Sequence, residues 1–303
     1  MPNVIIAGSA LMDTYIMLDR HAKVGESLIA KGMRLVPGGK GLNVAVASSK
    51  MGASTSFVGK IGEDQYGKDI EKFLSACRIN MQLYRTKTDS TGMAVIAITD
   101  KAKSQIMIVY AANMELGPKE IESVKMESGD ILVGQMEIPF NTTERFFEKG
   151  HMAGTKNILN MSPIKEPSRK VIELADIILV NEHELSHFSK RNASDDKEEI
   201  LDMMRSLRTR SGQIIIATLG GRGAIALDGE NVHEVQGRKV KVVDTTGAGD
   251  CFLAGFAKRL ASGSDIHSAM KYGNAAASIC VQRMGTGDAM PTAKEVEEVL
   301  GSS

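Results

Sequence analysis

The sequence shows no excess of either charge, because its 303 residues include 37 acidic and 37 basic side chains. Proteins that bind nucleic acid or anionic membrane surfaces usually carry a basic excess or basic clusters. The balance therefore gives no support to nucleic acid or a membrane surface as a partner.

Cysteines are few, and long apolar runs are missing. Cys77, Cys251 and Cys280 lack metal-ligand spacing and lie in apolar helical patterns, which suits a reducing compartment. No apolar run approaches the roughly 20 residues of a membrane-spanning helix. The apolar residues 4–8 are too few for the apolar region of a signal peptide. We therefore expect a soluble cytoplasmic protein.

Short β-branched runs alternate with longer helical patterns, which predicts a mostly parallel sheet covered by helices. The predicted strands of this sheet lie at 4–8, 55–59, 131–133, 156–160, 177–180, 214–218 and 239–243. The predicted helices lie at 65–76, 141–153, 168–175, 195–209, 248–261 and 266–283. A helix also begins in the glycines at 38–41, and a hairpin is predicted from 224–227 and 232–235. No repeat or linker divides the chain, so we expect one domain over 1–303.

Two segments interrupt this alternation. Strands at 93–99 and 105–110, joined by a charged turn at 100–104, read as a hairpin. Residues 13–36 contain no convincing helix, although 31–36 fits a strand. We expect the two segments, about 12–36 and 90–112, to form a small separate sheet that acts as a lid.

A glycine-rich turn at 244–250 (DTTGAGD) precedes the predicted helix 248–261. Unpaired N–H groups and the helix dipole make such a helix start a site for phosphate or another anion. Asp250 would repel an anion unless it takes a proton from the hydroxyl that attacks a bound phosphoryl group. It equally fits a carboxylate that complements the helix dipole, and the residues alone favour neither interpretation.

A second glycine-rich turn, 38–43 (GGKGLN), also opens a helix, where Lys40 and Asn43 would suit polyol hydroxyls or a phosphate. A tight turn with a solvent-facing lysine is the more common meaning of such a pattern. Asn181, Thr218 and Asp250 all follow predicted strand ends. Ligands of open α/β sheets bind beyond the carboxyl ends of strands, so these three side chains are expected at one edge.

The segment 183–187 (HELSH) fits the H-E-x-x-H pattern of zinc proteases, in which His183 and His187 would bind zinc and Glu184 would activate water. Such a site needs a third protein ligand, and no later histidine or glutamate stands out. The alternative is a helix that Asn181 caps, with Glu184 three residues later completing a capping box. We regard the zinc hydrolase as the weaker interpretation.

These motifs, taken in order, resemble the ribokinase (PfkB) family of carbohydrate and nucleoside kinases. The resemblance is carried by 38–45 and 244–250, with smaller matches at 8–13, 135–137, 160–163, 181–184 and 218–220. It implies a three-layer α/β/α domain with a mostly parallel sheet and a small discontinuous β-sheet lid. It also implies transfer of the γ-phosphoryl group of ATP, with Mg²⁺, to a hydroxymethyl group of a sugar or sugar-like acceptor.

The resemblance implies a role for each matching residue. Asp250 would be the general base, with an anion hole from Gly247, Ala248 and Gly249. The acceptor would be held by Asp13, Gly39, Lys40, Asn43 and Glu137. The nucleotide would be held by Asn181, Thr218, Gly220 and Asn274. Glu184 would organise Mg²⁺ through water, and Asp244 would border a K⁺ site in those members that K⁺ activates.

The sequence does not decide which molecule accepts the phosphoryl group. Ribokinases usually have asparagine where this chain has Leu11, which cannot pair with a sugar hydroxyl. An acceptor with an apolar part near Leu11 and Met12, such as a nucleoside, is the alternative, while Glu137 favours a sugar. The K⁺ site is in question because Ala289 replaces a serine of ribokinase. Relatives often dimerise through the lid, and a homodimer is expected here on that ground.

Overall fold

The computed structural model describes residues 2–99 and 104–301. The strands are β1 Val4–Ala7, β2 Leu11–Leu18, β3 Gly32–Gly38, β4 Thr55–Gly62, β5 Asn80–Thr86, β6 Gly92–Thr99, β7 Ser104–Val109, β8 Ile131–Gly134, β9 Lys156–Asn160, β10 Ile177–Asn181, β11 Ile214–Thr218, β12 Gly223–Asp228 and β13 Asn231–Gln236. The helices are α1 Lys40–Lys50, α2 Gln65–Ala76, α3 Pro118–Ile121, α4 Phe140–Ala153, α5 Arg169–Leu174, α6 Glu182–Ser189, α7 Lys197–Leu207, α8 Ala248–Ala261, α9 Ile266–Cys280 and α10 Ala293–Gly301.

The large sheet has nine strands in the order β13-β12-β11-β10-β9-β8-β1-β4-β5. The seven strands from β11 to β5 run parallel, and the predicted hairpin β12–β13 adds two antiparallel strands at one edge. Because the parallel strands point the same way, their carboxyl ends meet at one edge of the sheet, where α/β proteins bind ligands.

Helices cover both faces of this sheet. On one face, α1, α2, α8 and α9 pack in a core that includes Phe57, Phe256 and Tyr272. On the other face, α4 and α7 pack in a second core that includes Phe146 and Phe147. The predicted three-layer α/β/α architecture is confirmed.

The small sheet has the order β3-β2-β6-β7 and combines the two segments that interrupt the α/β alternation. Here β2 pairs with β3 and runs parallel to β6, which pairs with β7. The separate small sheet expected from the sequence is thus confirmed. Most of the charged turn predicted at 100–104 lies outside the described residues.

Three local predictions were wrong. Residues 239–243 are not a strand, because they leave the edge of the sheet and run along a cavity toward α8. Strand β5 was missed because its mixed, mostly half-exposed residues lack a clear alternation. Strand β2 was missed because it is buried on both faces over much of its length, so its polar and apolar residues do not alternate. None of the helices in residues 2–99 and 104–301 is long and apolar enough to cross a membrane.

Candidate active site

The site lies at the carboxyl edge of the large sheet, where α8 begins. Gly247 precedes α8 in a left-handed conformation (φ 77°) that favours glycine, and no described side chain caps the helix. A Cβ added to Gly249 would have no described atom within 4 Å, so this turn faces open space. Asp250, on the first turn of α8, is only 4% exposed. A buried carboxylate therefore stands beside an uncovered helix start.

Asn43 joins α1 to this carboxylate. Its Nδ2 donates a hydrogen bond to Asp250 Oδ2 at 3.0 Å. The Asn43 Oδ1 atom is buried and has no partner in the described part of the chain. Gly39, with φ 94°, starts α1 without a side-chain cap in the same described region. The two glycine-rich turns predicted separately thus meet in one site.

Glu137 lies between the end of β8 and the start of α1, and is only 2% exposed. Its Oε2 accepts hydrogen bonds from the Ser9 hydroxyl and from the Lys40 backbone N–H, the latter at 3.0 Å. Burial raises the pKa of Glu137, although Lys40 and the Ser9 hydrogen bond counteract this shift. The sequence pointed to Glu137 but not to the role of Ser9 in fixing it.

Asp13, on strand β2 of the small sheet, lies close to Glu137 and Asp250, and these three buried carboxylates form the acidic cluster of the site. Its carboxylate lies against Gly38, where a Cβ would come within 1.9 Å of Asp13 Oδ2. Burial, followed by the charges of Glu137 and Asp250, raises the pKa of Asp13 to about 8. The small sheet thus contributes an acidic group directly to the site.

Lys40 is the cation of this cluster. Burial lowers its pKa, but the charges of Asp250, Glu137, Glu184 and Asp13 act in the opposite direction, and the pKa ends above its ordinary value. The ammonium group therefore stays charged at neutral pH. The expectation of a solvent-facing lysine in a simple turn does not hold.

Two neighbouring cavities meet at the start of α8. The larger has a volume of about 590 Å³, and Asn181, Thr218, Gly220 and Asn274 are among its lining residues. The smaller, of about 310 Å³, is lined by Lys40, Glu184 and Asp250, and by Ile106 of the small sheet. Asn181, Thr218, Thr245 and Gly249 line both cavities.

Asn181 and Glu184 form the capping box of α6. Asn181 Oδ1 accepts from the Glu184 N–H at 2.9 Å, and Glu184 Oε2 accepts from the Asn181 N–H at 2.8 Å. Both residues also line the smaller cavity, so their oxygens suit a hard cation such as Mg²⁺ held through water.

The two histidines of the H-E-x-x-H pattern have different surroundings, and neither lines the smaller cavity that contains Asp250. His183 lines the larger cavity, while His187 Nε2 lies 3.5 Å from Glu166 Oε1. Residues 2–99 and 104–301 contain no group of three or more histidine, cysteine, aspartate or glutamate side chains that could hold a metal ion. The third ligand that the zinc interpretation requires is thus missing from this part of the chain.

Asp244 and Asn274 lie at the margins of the site. Asp244 Oδ1 accepts from the Thr246 N–H at 2.9 Å, and its Oδ2 accepts from the Gly285 N–H at 3.0 Å. It therefore ties the glycine turn to the loop that follows α9. Asn274 donates to the Gln236 carbonyl at 2.8 Å and lines the larger cavity.

The structure also brings in residues that the sequence did not single out for the site. Asn160, the last residue of β9, and Ser162, which follows the strand, line the smaller cavity together with Ile106. The position of Asn160 at the end of a parallel strand was the available signal for it. Ile106 gave none, because its place depends on how the small sheet folds over the large one.

Comparisons with known proteins identify the family of the chain. The family model described as pfkB family carbohydrate kinase matches residues 1–293. A ribokinase of Bacillus subtilis is 32% identical over 302 residues, covering 99% of this chain and 100% of the relative. A deoxyribokinase of Salmonella typhi is 28% identical and covers 98% of each chain.

Among solved structures, the ribokinase of Arabidopsis thaliana complexed with ribose and ATP superposes with a TM-score of 0.87 at 30% identity. The match covers 100% of this chain and 99% of that one. The resemblance inferred from the sequence motifs is confirmed. The chain belongs to the pfkB family of carbohydrate kinases, which are ATP-dependent enzymes.

Proposed function

We propose that this enzyme transfers the γ-phosphoryl group of ATP to a hydroxymethyl group of a sugar, with Asp250 as the general base. The observation that carries the proposal is the position of Asp250. It lies at an uncovered helix start, next to a cavity of nucleotide size, and accepts a hydrogen bond from Asn43 on the first turn of α1. One carboxylate would thus face both substrates.

In the proposed reaction, Asp250 accepts the proton of the acceptor hydroxyl as that oxygen attacks phosphorus. Asn43 occupies Asp250 Oδ2, which leaves Oδ1 to receive the proton. A positioned base of this kind typically contributes about 10²–10⁴-fold in rate. The Asn43–Asp250 hydrogen bond would fix the direction of the carboxylate.

Backbone N–H groups of the glycine turn and the ammonium group of Lys40 would stabilise the negative charge on the phosphoryl group during transfer. Backbone N–H groups of Gly247, Ala248 and Gly249 would form the anion hole, as helix starts bind phosphate. Lys40, whose pKa is raised, supplies a permanent positive charge in the same cavity. Mg²⁺, when bound, would neutralise the ATP phosphates, and Glu184 with Asn181 would hold its water ligands.

The larger cavity would take the nucleotide. Thr218 lines both cavities and would lie at the phosphate end, whereas Gly220, Asn274, Ala277 and Val281 line the larger cavity and not the smaller one. The lining combines apolar side chains with a few polar groups, as small-molecule sites usually do.

The acceptor would be bound by Asp13, Glu137, Asn43, Lys40 and the backbone at Gly39. The end of this site beside Leu11 is closely packed. A Cβ on Gly92 would lie 2.5 Å from Leu11 Cδ2 and 2.6 Å from the Tyr110 carbonyl oxygen. Leu11 thus packs against Gly92 and is 2% exposed, and Glu137 supplies a carboxylate for acceptor hydroxyls; both features favour a free sugar over a nucleoside.

The proposed activity is tested by measuring ADP release from Mg-ATP with pentoses, hexoses and nucleosides, and by identifying the phosphorylated product. We expect turnover with a free pentose. Turnover with nucleosides alone would transfer the function to the alternative acceptor class. A folded protein that binds no ATP would overturn the kinase assignment for this chain.

We further propose that K⁺ raises activity by ordering the loop that Asp244 ties to the glycine turn. Asp244 bonds to both segments, and the Val281 carbonyl accepts from the Val243 N–H at 2.8 Å. A cation that binds carbonyl oxygens of these segments would stabilise the anion hole. Equal rates in K⁺ and in choline chloride would contradict this proposal.

The small sheet is also the proposed dimer interface. Its outer face and edges expose the apolar residues Met33, Leu35, Met107 and Val109. A second copy offers the same patch, so a two-fold contact would bury both. Sedimentation equilibrium should give twice the chain mass, and a monomer at micromolar concentration would contradict the proposal.

A further inference from the structure

The inner face of the small sheet carries an apolar residue beside its acidic one. Side chains alternate along a strand, so Leu11 shares a face of β2 with Asp13 while Met12 points the other way. Met12 accordingly packs in the main core together with Leu42. The sequence suggested both Leu11 and Met12 as apolar neighbours of the acceptor, but the structure leaves only Leu11 in that position.

Leu11 is held rigidly. It is 2% exposed, pairs with Gly38 in β3 and with Gly92 in β6, and its Cδ2 leans over Gly92. The neighbouring backbone is fixed by Asn113, which bonds to both the N–H and the carbonyl of Ala10 at 2.8 and 3.0 Å. The wall next to Asp13 therefore has little freedom to move away from a ligand.

Tyr110 continues this wall on the other side of Gly92. Its carbonyl accepts from Asn113 Nδ2 at 2.8 Å, which fixes the backbone at the end of the small sheet. Burial and then the charge of Glu137 raise the pKa of the phenol, consistent with a ring on the acceptor side. Leu11 and Tyr110 thus border the acidic groups Asp13 and Glu137.

A wall of this kind would discriminate between a hydroxyl and a hydrogen on the acceptor. A hydroxyl turned toward Leu11 would lose its water and find no partner on that side chain. Leaving a buried polar group unpaired lowers affinity by roughly 5- to 150-fold. A C–H group at the same place would instead make favourable apolar contact.

The position of that group on the acceptor follows from the order of the residues. The reacting hydroxymethyl group would lie at Asp250. The charges of Asp250 and Glu137 both raise the pKa of Asp13, so Asp13 lies near both carboxylates. Leu11 lies two residues from Asp13 along β2, about 6.6 Å away, beside Gly92 and Tyr110. With the hydroxymethyl group at Asp250 and Asp13 at the middle hydroxyls, Leu11 would meet the C1–C2 end of a pentose. C1 of a free pentose always carries oxygen, so C2 is the carbon at that end whose hydroxyl can be absent.

We propose that Leu11 makes the enzyme selective for a pentose that lacks the C2 hydroxyl, a 2-deoxypentose, over the corresponding pentose. This inference rests on the proposed sugar kinase function. Both ribokinases and a deoxyribokinase are among the relatives of the chain. Asp13 and Glu137 remain available for the other hydroxyls of such an acceptor.

The test compares kcat/KM for 2-deoxyribose and ribose in the wild-type enzyme, in Leu11→Asn and in Met152→Asn. Met152 lies on α4 and is 72% exposed, so it is a matched change of an apolar residue to asparagine away from the site. We expect the wild type and Met152→Asn to favour 2-deoxyribose by about 5- to 150-fold. Leu11→Asn should lower that ratio at least tenfold, mainly through a lower KM for ribose.

A wild-type preference for ribose would overturn the inference, as would an unchanged ratio in a folded Leu11→Asn enzyme. If Leu11→Asn fails to fold, Leu11→Thr carries the same test with a smaller polar side chain. Calorimetric titration of the two sugars without ATP gives a separate readout of the same preference. Turnover of hexoses or nucleosides alone would overturn the inference but keep the kinase, whereas no turnover with any acceptor would overturn the proposed function as well.

Discussion

Asn43 and Asp250 are 207 residues apart in the chain, yet Asn43 Nδ2 donates to Asp250 Oδ2 at 3.0 Å in a buried environment. The bond joins the first turns of α1 and α8, which both begin in glycine-rich segments. It leaves Asn43 Oδ1 without a partner in the described residues. A free, buried acceptor beside a carboxylate is what a hydroxyl-bearing substrate would satisfy.

Asn43→Ala should lower kcat with little effect on the KM for ATP. The change removes the donor that orients Asp250 and the acceptor that would meet the sugar. Loss of a hydrogen bond to a charged group costs about 1.5–3 kcal/mol, or roughly 10- to 150-fold in kcat/KM for the sugar. Steady-state kinetics with each substrate varied in turn would check this. An effect confined to the KM for ATP would contradict the proposed position of Asn43.

Asp13→Asn should stabilise the ligand-free protein at alkaline pH. The pKa of Asp13 is raised from 3.8 to about 8, so the folded state keeps a proton that the unfolded chain releases. Stability therefore falls as pH rises from about 4 to 8, by at most about 1.4 kcal/mol per pH unit. Asparagine cannot ionise and removes this slope.

The measurement is Tm of both proteins from pH 5 to 8.5. The excess stability of Asp13→Asn should grow with pH and level off above about 8. Glu137, whose pKa is also raised, is present in both proteins, so it contributes to the pH dependence of stability in both. A wild type that gains stability relative to Asp13→Asn as pH rises would contradict the account.

Acceptor binding should release protons near pH 7. Asp13 is largely protonated there in the ligand-free protein, because of its raised pKa. Hydrogen bonds from two sugar hydroxyls favour the ionised carboxylate and would lower that pKa. Titration calorimetry in buffers of different ionisation enthalpy would count the protons released, and Asp13→Asn is the control that should release fewer. Proton uptake by the wild type would be the opposite of the expected result.

Gly249→Ala should separate stability from activity. Gly249 lies in the first turn of α8, where its φ is not in the left-handed region and a Cβ would meet no described atom within 4 Å. Alanine in a helix is more stable than glycine by roughly 0.5–1 kcal/mol. The added methyl group would project at the cavities that Gly249 lines, where the phosphoryl group would lie.

We therefore expect Gly249→Ala to melt at or above the wild-type Tm and to lose at least tenfold in kcat, consistent with a disturbed anion hole. Gly263→Ala serves as the comparison, since Gly263 has φ 80° in a turn after α8 and should lose stability without a direct effect on the site. Wild-type kcat in Gly249→Ala would remove this turn from the proposed anion hole.

Much of the large sheet could be read from the sequence because local patterns determine it. The bounds of α2, α8, β9 and β11 agree with the prediction. The small sheet was harder, since β2 is paired on both sides and its residues do not alternate in polarity. The parallel pairing of its central strands β2 and β6 joins distant segments, which no local pattern encodes.

In the candidate site, too, local motifs could be recognised in the sequence, whereas contacts between distant segments could not. Motifs at 38–43 and 244–250 named Asn43 and Asp250, and the structure brings the two together. The sequence did not reveal that Leu11 and Met12 lie on opposite faces of β2, because that strand was not recognised. Nor did it reveal that Ser9 bonds to Glu137, which depends on contact between β1 and β8 ends.

The most direct test of the account is the Asp250→Asn enzyme, measured for binding and for single-turnover phosphoryl transfer. Asparagine keeps the shape of the carboxylate but cannot take the proton, so both substrates should bind within about tenfold of wild type. Transfer should fall by at least about 100-fold. An Asp250→Asn enzyme that binds both substrates and transfers the phosphoryl group at close to the wild-type rate would contradict the role of Asp250 as the base.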